Sequence, residues 1–188
     1  MKRKTIGRNL SRPVSAPSAD CASDAADRAG SGLWRFSLAL YARPGVAEAL
    51  IALQDRAGLD VNLILFGLWI GMRGGQELGQ HRFAAAAEIA ADLNSLVRDI
   101  RRLRRRLDGD AARDLRSLRG TVLRLELAVE RRVQRRLAAW ADTAAVPKAP
   151  GDPLAAALAN LACCLGAEIG SEEATILRRE LAALARRS

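Results

Sequence analysis

Two runs of regularly spaced aliphatic residues in the middle of the chain most constrain its fold. In residues 89–107 the aliphatic side chains recur at alternating intervals of four and three residues, and residues 115–129 repeat this spacing. Such spacing is typical of a coiled-coil seam, because it places the side chains on one face of an α-helix. The runs consist of Ile89, Leu93, Leu96, Ile100, Leu103 and Leu107, and of Leu115, Leu118, Val122, Leu125 and Val129, the second continuing through Val133 and Trp140.

A short turn separates the two runs. In Asp108-Gly109-Asp110 the glycine suits the end of one helix and an aspartate can cap the start of the next. We therefore expect an antiparallel helical hairpin over residues 80–141. One continuous helix through Gly109 is the alternative, because an internal glycine costs only about 1 kcal/mol.

The composition supports a helical protein with one hydrophobic core. The chain has 188 residues, of which 49% are hydrophobic and only 4% aromatic, and alanine, leucine and arginine dominate over valine and isoleucine. This balance disfavours a β-sandwich or barrel. The sequence therefore predicts an all-α helical bundle that contains the long hairpin.

Proline, glycine and capping residues divide the chain further. Residues 1–30 are rich in serine, proline and charge, which predicts a disordered tail before a single helical domain at 31–188. Within that domain we expect apolar N-terminal helices over 31–72 and C-terminal helices over 153–187. The N-terminal group should break before Pro44, end a helix at Gly58 and begin another at Asp60. The second C-terminal helix should begin after Ser171, and Asp152 should cap the first.

Three segments of the N-terminal group carry a resemblance. They are Trp34-Arg35-Phe36-Ser37, Tyr41-Ala42-Arg43-Pro44-Gly45-Val46, and Asp60-Val61-Asn62-Leu63 with its continuation to Trp69, in which Ile64 departs from the pattern. The chain resembles, over about residues 33–185, a bacterial family of short helical proteins catalogued as a conserved domain of unknown function. The resemblance implies membership of that family and brings no activity, cofactor or catalytic residue with it.

Positive charge is concentrated in the predicted hairpin. The formal net charge is +9, and residues 98–136 alone hold 14 basic and 6 acidic residues. If the seam residues face the partner helix, the opposite face carries Arg98, Arg101, Arg102 and Arg105. Neighbouring like charges four residues apart destabilise a helix by about 0.2–0.5 kcal/mol per pair. An anionic partner would explain this face, and a solvated face paired with acids such as Glu172, Glu173 and Glu180 is the alternative.

Three functions follow as hypotheses from these features. The first is a non-enzymatic interaction module whose arginine face binds an acidic protein or assists self-association. The second is nucleic-acid binding, which would be non-specific because no helix-turn-helix, zinc-finger or aromatic RNA-binding motif accompanies the arginines. The third is an enzyme or ligand carrier with a polar pocket among the N-terminal helices. Its candidate residues are Gln54, Asp55, Asp60 and Asn62, although capping of a helix start already accounts for Asp60.

No residue pattern indicates a metal, a cofactor or a catalytic centre. The chain has one histidine, His81, and three cysteines, two of them adjacent, which is too few for a zinc site and predicts no disulfide. The basic start lacks the apolar stretch of a signal peptide, and the most apolar run, residues 61–72, is shorter than the roughly 20 residues that span a bilayer. We therefore expect a cytoplasmic protein without a transmembrane segment.

Overall fold

The computed structural model describes residues 32–107, 115–143 and 151–186, and all regular structure in these ranges is helical. This confirms the predicted all-α bundle. The helices are α1 (Gly32–Tyr41), α2 (Val46–Ala57), α3 (Val61–Gly74), α4 (Gly79–Arg106), α5 (Arg116–Thr143), α6 (Pro153–Leu165) and α7 (Glu172–Ala185), with a 3-10 turn at Gly166–Gly170 between the last two.

Helix α3 lies at the centre of the bundle. Ten of its fourteen residues are buried, because other helices cover it on two sides. One hydrophobic cluster joins α3 to α2, α6 and α7 and includes Leu40 of α1, and a second joins α3 to α1, α4 and α5. This burial matches the sequence of α3, because a helix that is apolar nearly all round has no face suited to water. The predicted caps are confirmed at Gly58, Asp60, Asp152 and Ser171.

Helices α3 and α6 approach each other unusually closely. A Cβ atom on Gly71 would lie 2.3 Å from the backbone nitrogen and Cα of Ala157, so only glycine fits there. Next to this contact the buried Asn160 ties three segments together. Its amide donates to the carbonyls of Gly67 at 2.9 Å and Gln76 at 2.8 Å, and its oxygen accepts from the Leu78 N–H at 2.7 Å.

Ion pairs show that α4 and α5 form an antiparallel hairpin. Arg101 of α4 bonds to Glu126 of α5. Asp92, which lies nearer the start of α4, bonds to Arg136, which lies nearer the end of α5. The partner's number rises as the α4 number falls, which confirms the hairpin and rules out one continuous helix. The predicted turn at 108–110 lies outside the described residues.

The predicted hairpin seam is only partly right. Leu96 and Leu103 of α4 are each 46% exposed, and the buried face of α4 is made instead by smaller or polar residues. The reason is that α4 packs against α3 and α6 as well as α5, so its buried face is centred between these neighbours. A heptad pattern assigns the buried face of a helix from its large aliphatic side chains alone, and it assumes that the helix packs against one neighbouring helix. The buried residues of α4 are Phe83, Ala86, Ala90, Asn94, Val97 and Ile100.

The predicted domain boundaries meet the structure only in part. Helix α5 extends to Thr143, two residues beyond the predicted end of the hairpin, and residues 144–150 lie outside the described ranges, as does the predicted tail at 1–30. Among the described residues, Pro153–Gly170 is long and apolar enough to span a membrane by length and composition, and α1 with α2 would pass only as one span bent by 101°. Since core helices of globular proteins meet the same criteria, this does not establish a transmembrane segment.

Candidate functional site

A cleft of about 460 Å³ lies between the N-terminal helices and the hairpin, with residues of α1 to α5 in its walls. Its apolar wall contains four large side chains that remain 40–54% exposed to solvent. They are Leu38 of α1, Ile51 of α2, and Leu123 and Leu127 of α5. The volume and the largely apolar wall are those of a small-molecule binding site.

Four charged side chains form one wall of the cleft. Arg101 bonds to Glu126 at 2.9 Å and to Glu130 at 2.6 Å, and Arg104 bonds to the other oxygen of Glu126 at 2.7 Å. Burial alone would raise the pKa of Glu126, but the hydrogen bonds from Arg104 and Arg101 lower it below its usual value. Burial raises the pKa of Glu130, and Arg101 opposes this shift. When all four groups are ionised, their net charge is zero.

Buried amides and a hydroxyl connect three helices beside these charges. The Ser37 hydroxyl of α1 lies 3.1 Å from Oε1 of Gln134 in α5 and 2.9 Å from the carbonyl of Leu33, so its single proton serves one acceptor at a time. Gln134 Nε2 donates to Oδ1 of Asn62 in α3 at 3.2 Å. In the described part of the chain no buried side-chain nitrogen or oxygen lacks a partner. This satisfied network fixes the positions of the three helices around the cleft.

Asp60 links the start of α3 to α4 in a smaller adjoining pocket of about 160 Å³. One carboxylate oxygen accepts the N–H of Asn62 at 2.9 Å and that of Leu63 at 3.4 Å, and the other accepts from the Asn94 amide. Burial raises the pKa of Asp60, although these backbone bonds and the charges of Arg101 and Arg98 act in the opposite direction. The capping role predicted for Asp60 is therefore confirmed.

Two polar side chains that line the cleft, Gln54 and Tyr41, have hydrogen-bonding groups that no other described side chain uses. Among the described residues, no intramolecular hydrogen bond is formed by the Gln54 side-chain amide or by the Tyr41 hydroxyl. Burial raises the pKa of Tyr41 to about 12, the negative charge of Glu130 adds to the shift, and Arg101 opposes it. Gln54 and Arg101 line the cleft and both smaller pockets beside it, so they lie where the three spaces meet.

The arginines predicted to form an outer face have different surroundings from one another. Arg101 is only 18% exposed and lies in the wall of the cleft, so its predicted outward position is wrong. Arg102 pairs with Asp99 of its own helix at 3.1 Å, and Arg105 pairs with Asp55 at 2.7 Å. Arg98 is exposed and lines the two smaller pockets. Three of the four therefore already bond to carboxylates of this chain, which removes most of the reason for an anionic partner at this face.

The acids suggested as intramolecular partners for this face lie elsewhere. Glu173 bonds to Arg56 at 2.7 Å, and Glu180 bonds to Arg43 at 2.8 Å. Their places near the arginine cluster are taken by acids of α2, α4 and α5, of which the sequence pointed only to Asp55, as a residue of the polar pocket. The partners actually used are Asp55, Asp99, Glu126 and Glu130.

The structure brings the two predicted sets of site residues together. Gln54, Asp60 and Asn62 share a pocket with Arg98 and Arg101, so the polar pocket and the arginine cluster form one continuous site. The third pocket, also about 160 Å³, adds Asp55 beside Arg102 and Arg105. Sequence spacing did not reveal the carboxylates of Glu126 and Glu130 or the apolar side chains that face the cleft. The signal for the carboxylates was the pair Glu126 and Glu130 in residues 122–130, a stretch that is otherwise aliphatic apart from Arg124.

Within the described residues, no group of three or more histidine, cysteine or acidic side chains is arranged to hold a metal ion. Cys163 and Cys164 are both free thiols. Burial raises the pKa of Cys164 well above that of an ordinary thiol, so it carries little reactive thiolate at neutral pH. Neither cysteine contributes to the cleft.

The sequence matches a known protein-family model. A family model described as "Protein of unknown function (DUF2390)" matches residues 32–137. Every residue that lines the cleft, from Trp34 to Gln134, falls inside this range. No curated protein and no solved structure matches the chain.

Proposed function

The chain belongs to the DUF2390 family of proteins of unknown function, and we propose that its cleft binds a small organic molecule. The protein is then a ligand-binding module whose site is built by α1–α3 on one side and the hairpin on the other. The matched residues contain the whole cleft, so the proposed site belongs to the part of the chain that defines the family.

One observation carries this proposal. Leu38, Ile51, Leu123 and Leu127 leave much of their apolar surface in contact with water, and all four do so in the same cleft. Removing apolar surface from water stabilises a protein or complex by about 25 cal/mol per Å². The exposed surface of these four side chains does not contribute this free energy in the protein without a ligand. A ligand that covers them recovers this free energy.

The polar groups of the cleft limit the chemistry of the ligand. The ionic wall of Arg101, Arg104, Glu126 and Glu130 is neutral as a unit when ionised, and its charges pair with one another, so its net charge does not select a strongly charged ligand. Gln54 and Tyr41 supply the spare hydrogen-bonding groups. The best fit is therefore a mainly apolar molecule, neutral or singly anionic, with one hydrogen-bonding group.

Binding of 1-anilinonaphthalene-8-sulfonate, an aromatic monoanion of suitable size, tests the proposal. We expect saturable binding of one dye per chain, followed by dye fluorescence. The double variant Ile51→Gln with Leu127→Gln keeps side-chain size and removes two apolar contacts in the cleft. It should weaken dye binding at least tenfold.

The matched control changes two equally exposed leucines outside the cleft. Leu103→Gln with Leu125→Gln should leave the dissociation constant within twofold of the wild type, because neither residue lines the cleft. Equal loss in both double variants, or no loss in the cleft variant, would contradict the proposal. Circular dichroism of each variant verifies that the helices are intact.

A further inference from the structure

The cleft and the two smaller pockets beside it have walls of different character. The cleft has a largely apolar wall, whereas the smaller pockets, each of about 160 Å³, are lined by more charged and amide side chains than apolar ones. Gln54 and Arg101 line all three spaces, so the polar pockets begin where the cleft ends at these two side chains. A ligand whose apolar part lies in the cleft therefore has polar groups of the protein beside one end.

Arg98 lines both smaller pockets and differs from the other arginines in their walls. Each of the other three bonds to a carboxylate of this chain at 2.6–3.1 Å. Within the described ranges, the Arg98 guanidinium forms no ion pair and no hydrogen bond. Its N–H donors are therefore available to a ligand that carries an acceptor.

The carboxylates near Arg98 limit the charge of such a ligand. Asp60 lines one pocket with Arg98, and its oxygens already accept bonds from backbone N–H groups and a side-chain amide. Asp55 lines the other pocket, and Asp99 pairs with Arg102. Because acids and arginines nearly balance here, one negative charge on the ligand can pair with Arg98, whereas a second would be repelled by Asp55 and Asp60.

We infer that the ligand of the cleft is an apolar monocarboxylate, whose apolar body covers the exposed side chains of the cleft and whose carboxylate pairs with Arg98. A planar carboxylate can accept two parallel N–H bonds from one guanidinium. Gln54 can donate a further bond to it, because its amide lines all three spaces and forms no hydrogen bond with another described residue. The inference rests on the proposed function and adds to it the charge and the polar group of the ligand.

Two probes of the same shape test this inference on the full-length protein: naphthylbutanoate, which is anionic, and naphthylbutanamide, which is neutral. We expect isothermal titration calorimetry to report about fivefold or more tighter binding of the carboxylate, the effect of one partly exposed charge-assisted contact. Arg98→Gln should bring the two affinities within about twofold of each other by weakening only the carboxylate. Added salt should also weaken only the carboxylate. Naphthylbutyl phosphate, a dianion with the same body, should bind no more tightly than the carboxylate.

The matched control is Arg106→Gln, which changes an exposed arginine of the same helix that lines none of the three spaces. It should keep the preference of the wild type for the carboxylate. Four results would overturn the inference: equal binding of carboxylate and amide by the wild type, a preference that survives Arg98→Gln, an equal loss in the control, or tighter binding of the phosphate. If the amide still binds the wild type and is lost from Ile51→Gln with Leu127→Gln, the proposed function stands without the inference. If neither probe binds the wild type, both are wrong.

Discussion

At the scale of single residues, Tyr41 offers a direct reporter of the cleft because the chain contains one tyrosine. Burial, and then the charge of Glu130, raise its pKa to about 12. We predict that the tyrosinate absorbance of the folded protein has its midpoint near pH 12. Glu130→Gln removes the second cause and should lower that midpoint, while burial keeps it above 10. A wild-type midpoint near 10 would show that the hydroxyl is in open water.

Glu173 provides a pH-dependent contribution to stability at the surface. Its hydrogen bond from Arg56 lowers its pKa from 4.5 to about 2. Because the folded-state pKa is depressed, the contribution is present above pH 4.5 and is lost as the pH falls toward 2. We predict an NMR titration midpoint near 2 for the Glu173 carboxyl, returning toward 4.5 in Arg56→Gln. A midpoint that does not respond to this substitution would contradict the pairing.

Individual caps were predictable from the sequence, whereas individual ion pairs were not. Asp60, Asp152 and Ser171 cap helices through residues two or three positions away, so the relevant contacts are local. The partners of Arg101 are 25 and 29 residues away on another helix. Their identity depends on the rotation and register of α4 against α5, which spacing along one helix does not determine.

At the scale of helices, the contact between α3 and α6 depends on Gly71. We predict that Gly71→Ala destabilises the protein by about 1–3 kcal/mol or more, because the new methyl group overlaps the backbone of Ala157 and forces the helices apart. Urea unfolding measures the loss. The control is Gly74→Ala in the same helix, where the nearest atoms lie 3.8 Å away on a flexible side chain. It should be neutral or slightly stabilising, and equal losses would refute the explanation.

The hairpin depends on Glu126, which holds two arginines. Glu126→Gln leaves Arg101 and Arg104 without a full counter-charge in a partly buried place. We expect a loss of about 2–3 kcal/mol in the free energy of unfolding, below the roughly 3–5 kcal/mol of a fully buried pair, because both arginines keep some contact with water. Arg102→Gln, whose side chain is 75% exposed, should cost less than about 1 kcal/mol. Similar losses in the two variants would contradict the assignment.

The faces of α4 and α5 show where periodicity stops being informative. The spacing correctly predicted both helices and their antiparallel packing. Both predictions need only an apolar stripe along each helix, and they do not depend on which side of the helix faces its neighbour. It placed Leu96 and Leu103 in the seam, but α4 turns Ala90, Asn94 and Val97 inward instead. Small and polar residues allow the N-terminal helices to approach α4, and they contribute little to a hydrophobic pattern.

At the scale of the whole molecule, the cleft results from the central position of α3. One side of α3 belongs to the cluster with α2, α6 and α7, the other to the cluster with α4 and α5, and α1 contributes buried residues to both. Where α1 and α2 meet the end of the hairpin, neither cluster fills the space completely. The sequence predicted a polar pocket and an arginine cluster as two features, and the tertiary fold joins them at Gln54 and Arg101.

The central claim is that this cleft holds a small organic molecule, and native mass spectrometry of the protein purified from its own cells without denaturation tests it most directly. We predict a mass adduct of one small molecule on the wild type and on the control variant Leu103→Gln with Leu125→Gln. The adduct should be absent from Ile51→Gln with Leu127→Gln. A bare mass for the wild type, or an equal adduct on the cleft variant, would contradict the claim.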